Sequence, residues 1–108
     1  MTKKLALLAF VLFLLALTPA LSSAQDAATT FKGKCAMCHG PDGSGKTAMG
    51  EKFNIRDLRS ADVQKQTDAE LVQIVTKGKN KMPPYDGKLT KEQIDQLVAY
   101  VRELGKKK

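Results

Sequence analysis

A chain of 108 residues with 18 Lys and Arg against 11 Asp and Glu carries a net charge of +7. With no Trp and only 6% aromatic residues, it lacks the basic side chains interleaved with stacking aromatics that a nucleic-acid surface needs, so nucleic acid is not expected as a partner. Two Cys and one His leave little material for metal or thiol chemistry, and all three stand in one pentapeptide, Cys35-Ala36-Met37-Cys38-His39.

Residues 1–24 read as a secretory signal peptide. Lys3 and Lys4 make a charged start, and Leu5 to Leu17 is an unbroken apolar run shorter than the roughly 20 residues a spanning helix needs. Thr18 and Pro19 break the run, and Ser22-Ser23-Ala24 offers the small residues of a cleavage site. Cleavage is expected after Ala24, with Ala20 as the alternative, giving a periplasmic protein without a stable membrane anchor. Residues 25–108 then form one domain, whose charge falls from +7 to +5 with the loss of the two leader lysines. A domain this small buries a low share of its surface and often depends on a staple or a cofactor. Its aromatics are Phe31, Phe53, Tyr85 and Tyr100, so something other than side chains is expected to supply apolar bulk.

Asp26 is placed to cap a short helix through Ala27, Ala28 and Phe31 to Lys34, which leads into Cys35. Gly40 to Gly50, GPDGSGKTAMG, is dense in turn residues and reads as a loop, and the run on to Gln66 has no clear period. Thr67-Asp68-Ala69-Glu70 is a capping box ahead of Leu71, Ile74 and Val75, and Gly78 ends that helix. A second loop, KGKNKMPPYDGK, is stiffened by Pro83 and Pro84. It runs to another capping box, Thr90-Lys91-Glu92-Gln93, with Leu89 and Ile94 as its hydrophobic staple. The last helix is marked by Ile94, Leu97, Val98, Val101 and Leu104 at helical spacing, with Tyr100 at the edge of the stripe and Gly105 as the stop. No run alternates as a strand would.

Two motifs overlap after Cys35. Gly40 to Thr47 spells Gly-x-x-x-x-Gly-Lys-Thr, but a phosphate loop needs a buried strand before it and a helix N-terminus after it. FKGKCAMCH is not such a strand, so no nucleotide is expected. Cys35, Cys38 and His39 stand at i, i+3 and i+4, which one helical turn projects from one face. There the two thiols are placed for thioether bonds to a haem edge and the imidazole for the iron, the c-type attachment motif. A disulfide would need no His, a redox dithiol would sit in a βαβ unit, and zinc would need a fourth ligand. The soft thioether of Met is one known answer to the sixth iron position. Met37 lies inside the attachment turn and Met49 close by in the Gly-rich loop, whereas Met82 lies beyond a helix in the proline-braced loop and can reach the opposite haem face.

Cys35 to His39, taken with Lys81-Met82-Pro83-Pro84-Tyr85, resembles a small bacterial class I c-type cytochrome. Phe31 stands four residues before the first Cys, and Ala27 and Tyr100 match the positions where the family's first and last helices cross. The resemblance implies an all-α class I cytochrome c fold, three or more helices and loops wrapped around one haem. It implies one covalently attached haem c held by Cys35 and Cys38, with iron ligated by His39 and Met82, in a single-electron carrier rather than an enzyme. A fixed haem subunit of a larger oxidoreductase and a peroxidase-like enzyme with a labile sixth site are the alternatives. The proline that orients the proximal histidine in mitochondrial members falls here at Glu51, and their propionate-binding tryptophan is absent; Arg56, Arg59 and Tyr85 are the propionate candidates. Lys32, Lys34, Lys46, Lys77, Lys79, Lys81 and Lys88 are expected to present a positive rim to redox partner proteins with acidic docking surfaces, and the protein is expected to be a monomer.

Overall fold

A computed structural model describes residues 19–107. Most of the expected signal peptide therefore lies outside the described residues. Six helices follow in the described chain: α1 (Pro19–Lys34), α2 (Ala36–His39), α3 (Ala48–Lys52), α4 (Ala61–Gln64), α5 (Asp68–Lys77) and α6 (Lys91–Lys106). The described residues hold no strand, only isolated bridges between Lys79 and Met82 and between Asp86 and Leu89.

The core forms where α6 lays its stripe against α1. Ile94, Leu97, Val98 and Leu104 are buried, as their spacing requires. Phe31 is 2% exposed and meets Tyr100 with ring centroids 5.2 Å apart at 50°, within the tilted range aromatic pairs favour. Ala27, also buried, is small enough to let the helices approach at this crossing. Leu89 and Ile94 sit in the same cluster as Phe31, so the expected staple holds. A second cluster joins Val63 of α4, Leu71 of α5 and Val98 of α6.

Both capping boxes form. Thr67 accepts from the Glu70 amide while the Glu70 carboxylate accepts from the Thr67 amide, and Thr90 with Gln93 repeats the exchange. Each satisfies two otherwise orphaned donors at a helix start.

Four local expectations need correction. Asp26 is not a cap, because the helix runs back through Ala24 to Pro19; with those residues attached, Asp26 has no helix end to close. The stretch from Gly40 to Gly50 is not all loop, since Thr47 accepts from the Gly50 amide and starts α3. Ser60 likewise caps α4 by accepting from the Val63 amide; at four residues, α4 is too short to show a period. Gly105 does not stop α6, which continues to Lys106. Its small size matters instead, because a Cβ there would come 2.6 Å from the Gln64 side chain. Gln64 needs that space, since its Nε2 donates to the carbonyls of Leu58 (2.8 Å) and Val101 (3.1 Å).

Candidate functional site

A cavity of about 430 Å³ opens between the helices, within the range of about 300–1,000 Å³ typical of ligand and cofactor sites. Cys35, Cys38, His39, Met82 and Pro83 all line it. Phe31, Leu71, Leu97 and Val98 of the core also face it, so the apolar interior and the cavity share side chains.

The attachment wall is positioned by continuity with α1. The Cys35 amide donates to the Phe31 carbonyl at 2.8 Å and the His39 amide to the Cys35 carbonyl at 2.9 Å, so helical bonding carries on through the motif. The glycine-rich loop then satisfies this turn from behind. The Gly45 amide donates to the His39 carbonyl at 2.7 Å, and the Thr47 hydroxyl donates to the Cys38 carbonyl at 2.7 Å. Gly50 is required in the same place, because a Cβ there would lie 2.8 Å from the Cys38 carbonyl oxygen and would also strike the Gly45 carbonyl.

That bonding disposes of the phosphate reading. The amides of Gly43, Gly45 and Thr47 donate to backbone carbonyls, and those of Ser44 and Lys46 to the side chains of Asp42 and Ser44. A phosphate cradle needs such amides free, and here they are spent inside the loop.

Met82 is positioned by three devices. Gly78, at φ 75°, ends α5 where a Cβ would lie 2.7 Å from the Met82 carbonyl oxygen, so the loop folds tightly back on the helix end. Asn80, at φ 55°, takes the left-handed position in a turn closed by the Lys79 amide on the Met82 carbonyl and the Met82 amide on the Lys79 carbonyl; Asn is among the residues that tolerate that conformation. Beyond Pro83 and Pro84, the amides of Tyr85 and Asp86 donate to the Val75 and Thr76 carbonyls, and the Tyr85 hydroxyl donates to the Lys34 carbonyl at 3.2 Å. The Met82 loop is thereby tied to the chain just before Cys35. Met37 is 78% exposed and Met49 does not line the cavity, so of the described methionines only Met82 faces it.

The electrostatics suit a buried cofactor. Burial lowers the His39 pKa below its ordinary value, keeping the imidazole neutral, the form in which it ligates metal. Its Nδ1 is buried with no hydrogen-bond partner. Burial pushes the Cys35 thiol up to about 11, with Lys34 opposing and Cys38 adding to the rise. A redox dithiol needs a thiolate of low pKa, so this environment does not favour that alternative. Neither cysteine is in a disulfide, and among the described residues no three His, Cys, Asp or Glu side chains gather as metal ligands would.

Residues 22–101 match the family model described as cytochrome C oxidase, cbb3-type, subunit III. The chain is 38% identical to cytochrome c6 of Thermosynechococcus vestitus (strain NIES-2133 / IAM M-273 / BP-1) over 84% of its own length and 80% of that protein. It is 38% identical to cytochrome c6 of Nostoc sp. (strain PCC 7120 / SAG 25.82 / UTEX 2576) over 94% and 89% respectively. The chain belongs to the small class I c-type cytochromes. A solved structure named KustC0563 c-type cytochrome agrees in fold, with a TM-score of 0.67 and 31% identity over 72% of this chain and 95% of that one. The cytochrome is all-α, carries one covalently bound haem c with its iron, and is an electron carrier rather than an enzyme, exchanging electrons with redox partner proteins.

The cavity fits that group, offering apolar side chains, two thiols, a buried imidazole held neutral and the Met82 thioether among its lining. Of the three propionate candidates, Arg59 is committed to Asp57, with bonds of 3.0 Å from both Nε and Nη2, and pairs with Asp42 at 3.7 Å. The Tyr85 hydroxyl is committed to Lys34, while Arg56 lines the cavity. Residues without a strong sequence signal also line it, among them Phe53, Ile55 and Gln66. Gln66 lies in the stretch whose period could not be read.

Proposed function

We propose that this cytochrome is a periplasmic single-electron shuttle in which Cys35 and Cys38 hold the haem by thioether bonds and His39 and Met82 are the axial ligands. The observation that carries the reading is that these four side chains, 47 positions apart at the extremes of Cys35 and Met82, line one cavity. When bound, the haem supplies Fe(III)/Fe(II) exchange. With His39 and Met82 both ligating, the iron would have no position left for a substrate, and the methionine thioether would raise the reduction potential. The chain's own part is to orient the imidazole, keep it neutral, seat the thioether and exclude water with Phe31, Leu71, Leu97 and Val98.

Residues 1–24 act as a cleaved export signal and residues 25–108 are the working domain. No described helix is long and apolar enough to cross a membrane. Intact mass of the protein purified from the periplasm tests export and attachment together: the expected mass is residues 25–108 plus one haem. A mass retaining Met1 to Ala24, or lacking the haem, overturns the corresponding half of the reading.

The seven lysines named from the sequence are exposed, and Lys34, Lys79 and Lys81 line the cavity itself. Lys81 Nζ lies 5.9 Å from the Phe53 ring centre, and Lys52 Nζ 5.6 Å. This positive margin steers partners with acidic docking surfaces. Exposed charges act over about 8–10 Å at ordinary ionic strength, so the steering affects encounter rate more than the bound complex. Electron-transfer rates with an acidic partner are expected to fall as salt rises, and reversing Lys79 and Lys81 to Glu to flatten that dependence. Changing Lys106 to Lys108 in the tail should alter it less. Stopped-flow rates across a salt series check the contrast; equal losses in rim and tail variants would show that position does not count.

The family model's description favours a second reading, a fixed haem subunit. An obligate interface resembles a domain core cut in half, and among the described residues Met37 is the large apolar side chain left exposed. That surface supports the free, monomeric carrier, which size in solution tests.

A further inference from the structure

Gln66 faces the cavity and has no role in the site described above. Its backbone is held from α6: Arg102 Nη2 donates to the Gln66 carbonyl at 2.5 Å, Nη1 to the Gln64 carbonyl at 2.8 Å, and Nε to the Asp68 carboxylate at 3.0 Å. The side chain anchored this way lines the cavity in company with Leu71, Ile74 and Val98. Its Oε1 is buried and has no hydrogen-bond partner. Among the described residues the only other such side-chain atom is Nδ1 of His39, on the same cavity.

A buried polar atom left unpaired opposes folding, and a leucine of similar size would carry no such cost. A side-chain amide that lines this cavity from a backbone held by a guanidinium, with its own oxygen unpaired, therefore has its partner in whatever fills the cavity. Iron occupies the nitrogens of a haem, so the hydrogen-bonding groups a haem brings to a protein wall are its two propionate carboxylates, acceptors when ionised. A half-turn of the terminal amide exchanges Oε1 and Nε2 in place and puts the NH2 donor at the buried position. Arg59 and Tyr85 are already committed elsewhere, and Arg56, which also lines the cavity, is exposed to solvent, which leaves Gln66, besides His39, as the group there with a buried, unpaired polar atom. We propose that Gln66 is a positioning residue whose side-chain NH2 donates to a haem propionate, fixing the haem's rotation in the cavity and offsetting part of the propionate's negative charge.

This rests on the cavity being the haem site, which haem content measured on each sample reports separately. The test is Gln66→Leu in the holo-protein. Losing the donor leaves the propionate charge less compensated, which favours Fe(III). The midpoint potential should fall, with a several-fold change in the Fe(III)/Fe(II) ratio at fixed poise (tenfold corresponds to about 59 mV for one electron), and the denaturant midpoint should fall with it. Gln66→Glu, which adds a like charge, should lower the potential further. An amide without a partner predicts the opposite signs, because leucine would remove an unpaired oxygen and make the cavity drier, raising both quantities. A potential that rises or stays unchanged in Gln66→Leu overturns the proposal. Should that variant fail to retain haem, the wild-type ferrous protein decides: a slowly exchanging Gln66 side-chain NH2 with nuclear Overhauser contacts to the propionate methylenes supports it, and a freely exchanging NH2 without them refutes it.

Discussion

Replacing Cys35 and Cys38 together by alanine is expected to give a colourless chain that does not fold. Phe31, Leu71, Leu97 and Val98, which belong to the buried core, also line a cavity of about 430 Å³. Without the haem those apolar walls would face water, and a domain whose whole stability is typically about 5–15 kcal/mol has little to set against that loss. Partial collapse of the walls reduces the cost, but a small domain has little other core to draw on. The haem is therefore as much a part of the interior as any side chain. Far-UV circular dichroism and a urea titration of the double variant check this, against a wild type that keeps its colour through acid-acetone extraction. A helical, cooperatively unfolding, colourless variant would show that the protein does not need the haem for its fold.

Met82→Ala should open the sixth iron position. The wild-type loop is closed on itself by the Lys79–Met82 hydrogen bonds and anchored to α5 through Tyr85 and Asp86, so the remaining backbone should hold its path when the thioether is removed. The reduced variant is expected to bind carbon monoxide readily, where wild type does not. Its midpoint potential should fall by more than the roughly 59 mV that a tenfold change in Fe(III)/Fe(II) represents, because the soft ligand that favours Fe(II) is gone. Met49→Ala is the control, since Met49 does not line the cavity and should change neither quantity. Carbon monoxide difference spectra and redox titration read both effects. Ready carbon monoxide binding by wild type would instead point to an open site and to the peroxidase-like alternative.

The parts of the site that were legible in advance depend on neighbours in the chain. Cys35, Cys38 and His39 share a face because of helical spacing alone, and α2 with its N-cap at Cys35 realises it. Gly78 as the end of α5 and Thr90 as the start of α6 were legible for the same reason, being caps whose partners lie within four residues. Met82 was reached by exclusion among three methionines, and its place on the cavity depends on Gly78 and Asn80, whose positive φ angles are the kind of local signal Gly and Asn carry. The short helices α3 and α4 were not legible, because at five and four residues they complete barely one turn and are held by single caps and by packing.

By itself, then, the sequence determined the haem chemistry, the longer helices and the methionine loop, because covalent attachment, capping and amphipathic spacing all act over three or four residues. Tertiary structure alone decided which polar groups meet the cavity. Arg56 and Arg59 are three positions apart, yet Arg56 faces the cavity while Asp57 and Asp42 hold Arg59. Gln66 is placed by Arg102, 36 residues away. Gly105 is small for the sake of Gln64 rather than for the end of its helix. For Gln66 and Gly105 the deciding partner is brought close only when α6 packs against the rest of the chain, for Arg59 it is Asp57 two residues away together with Asp42 from the glycine-rich loop, and none of these contacts leaves a periodic trace.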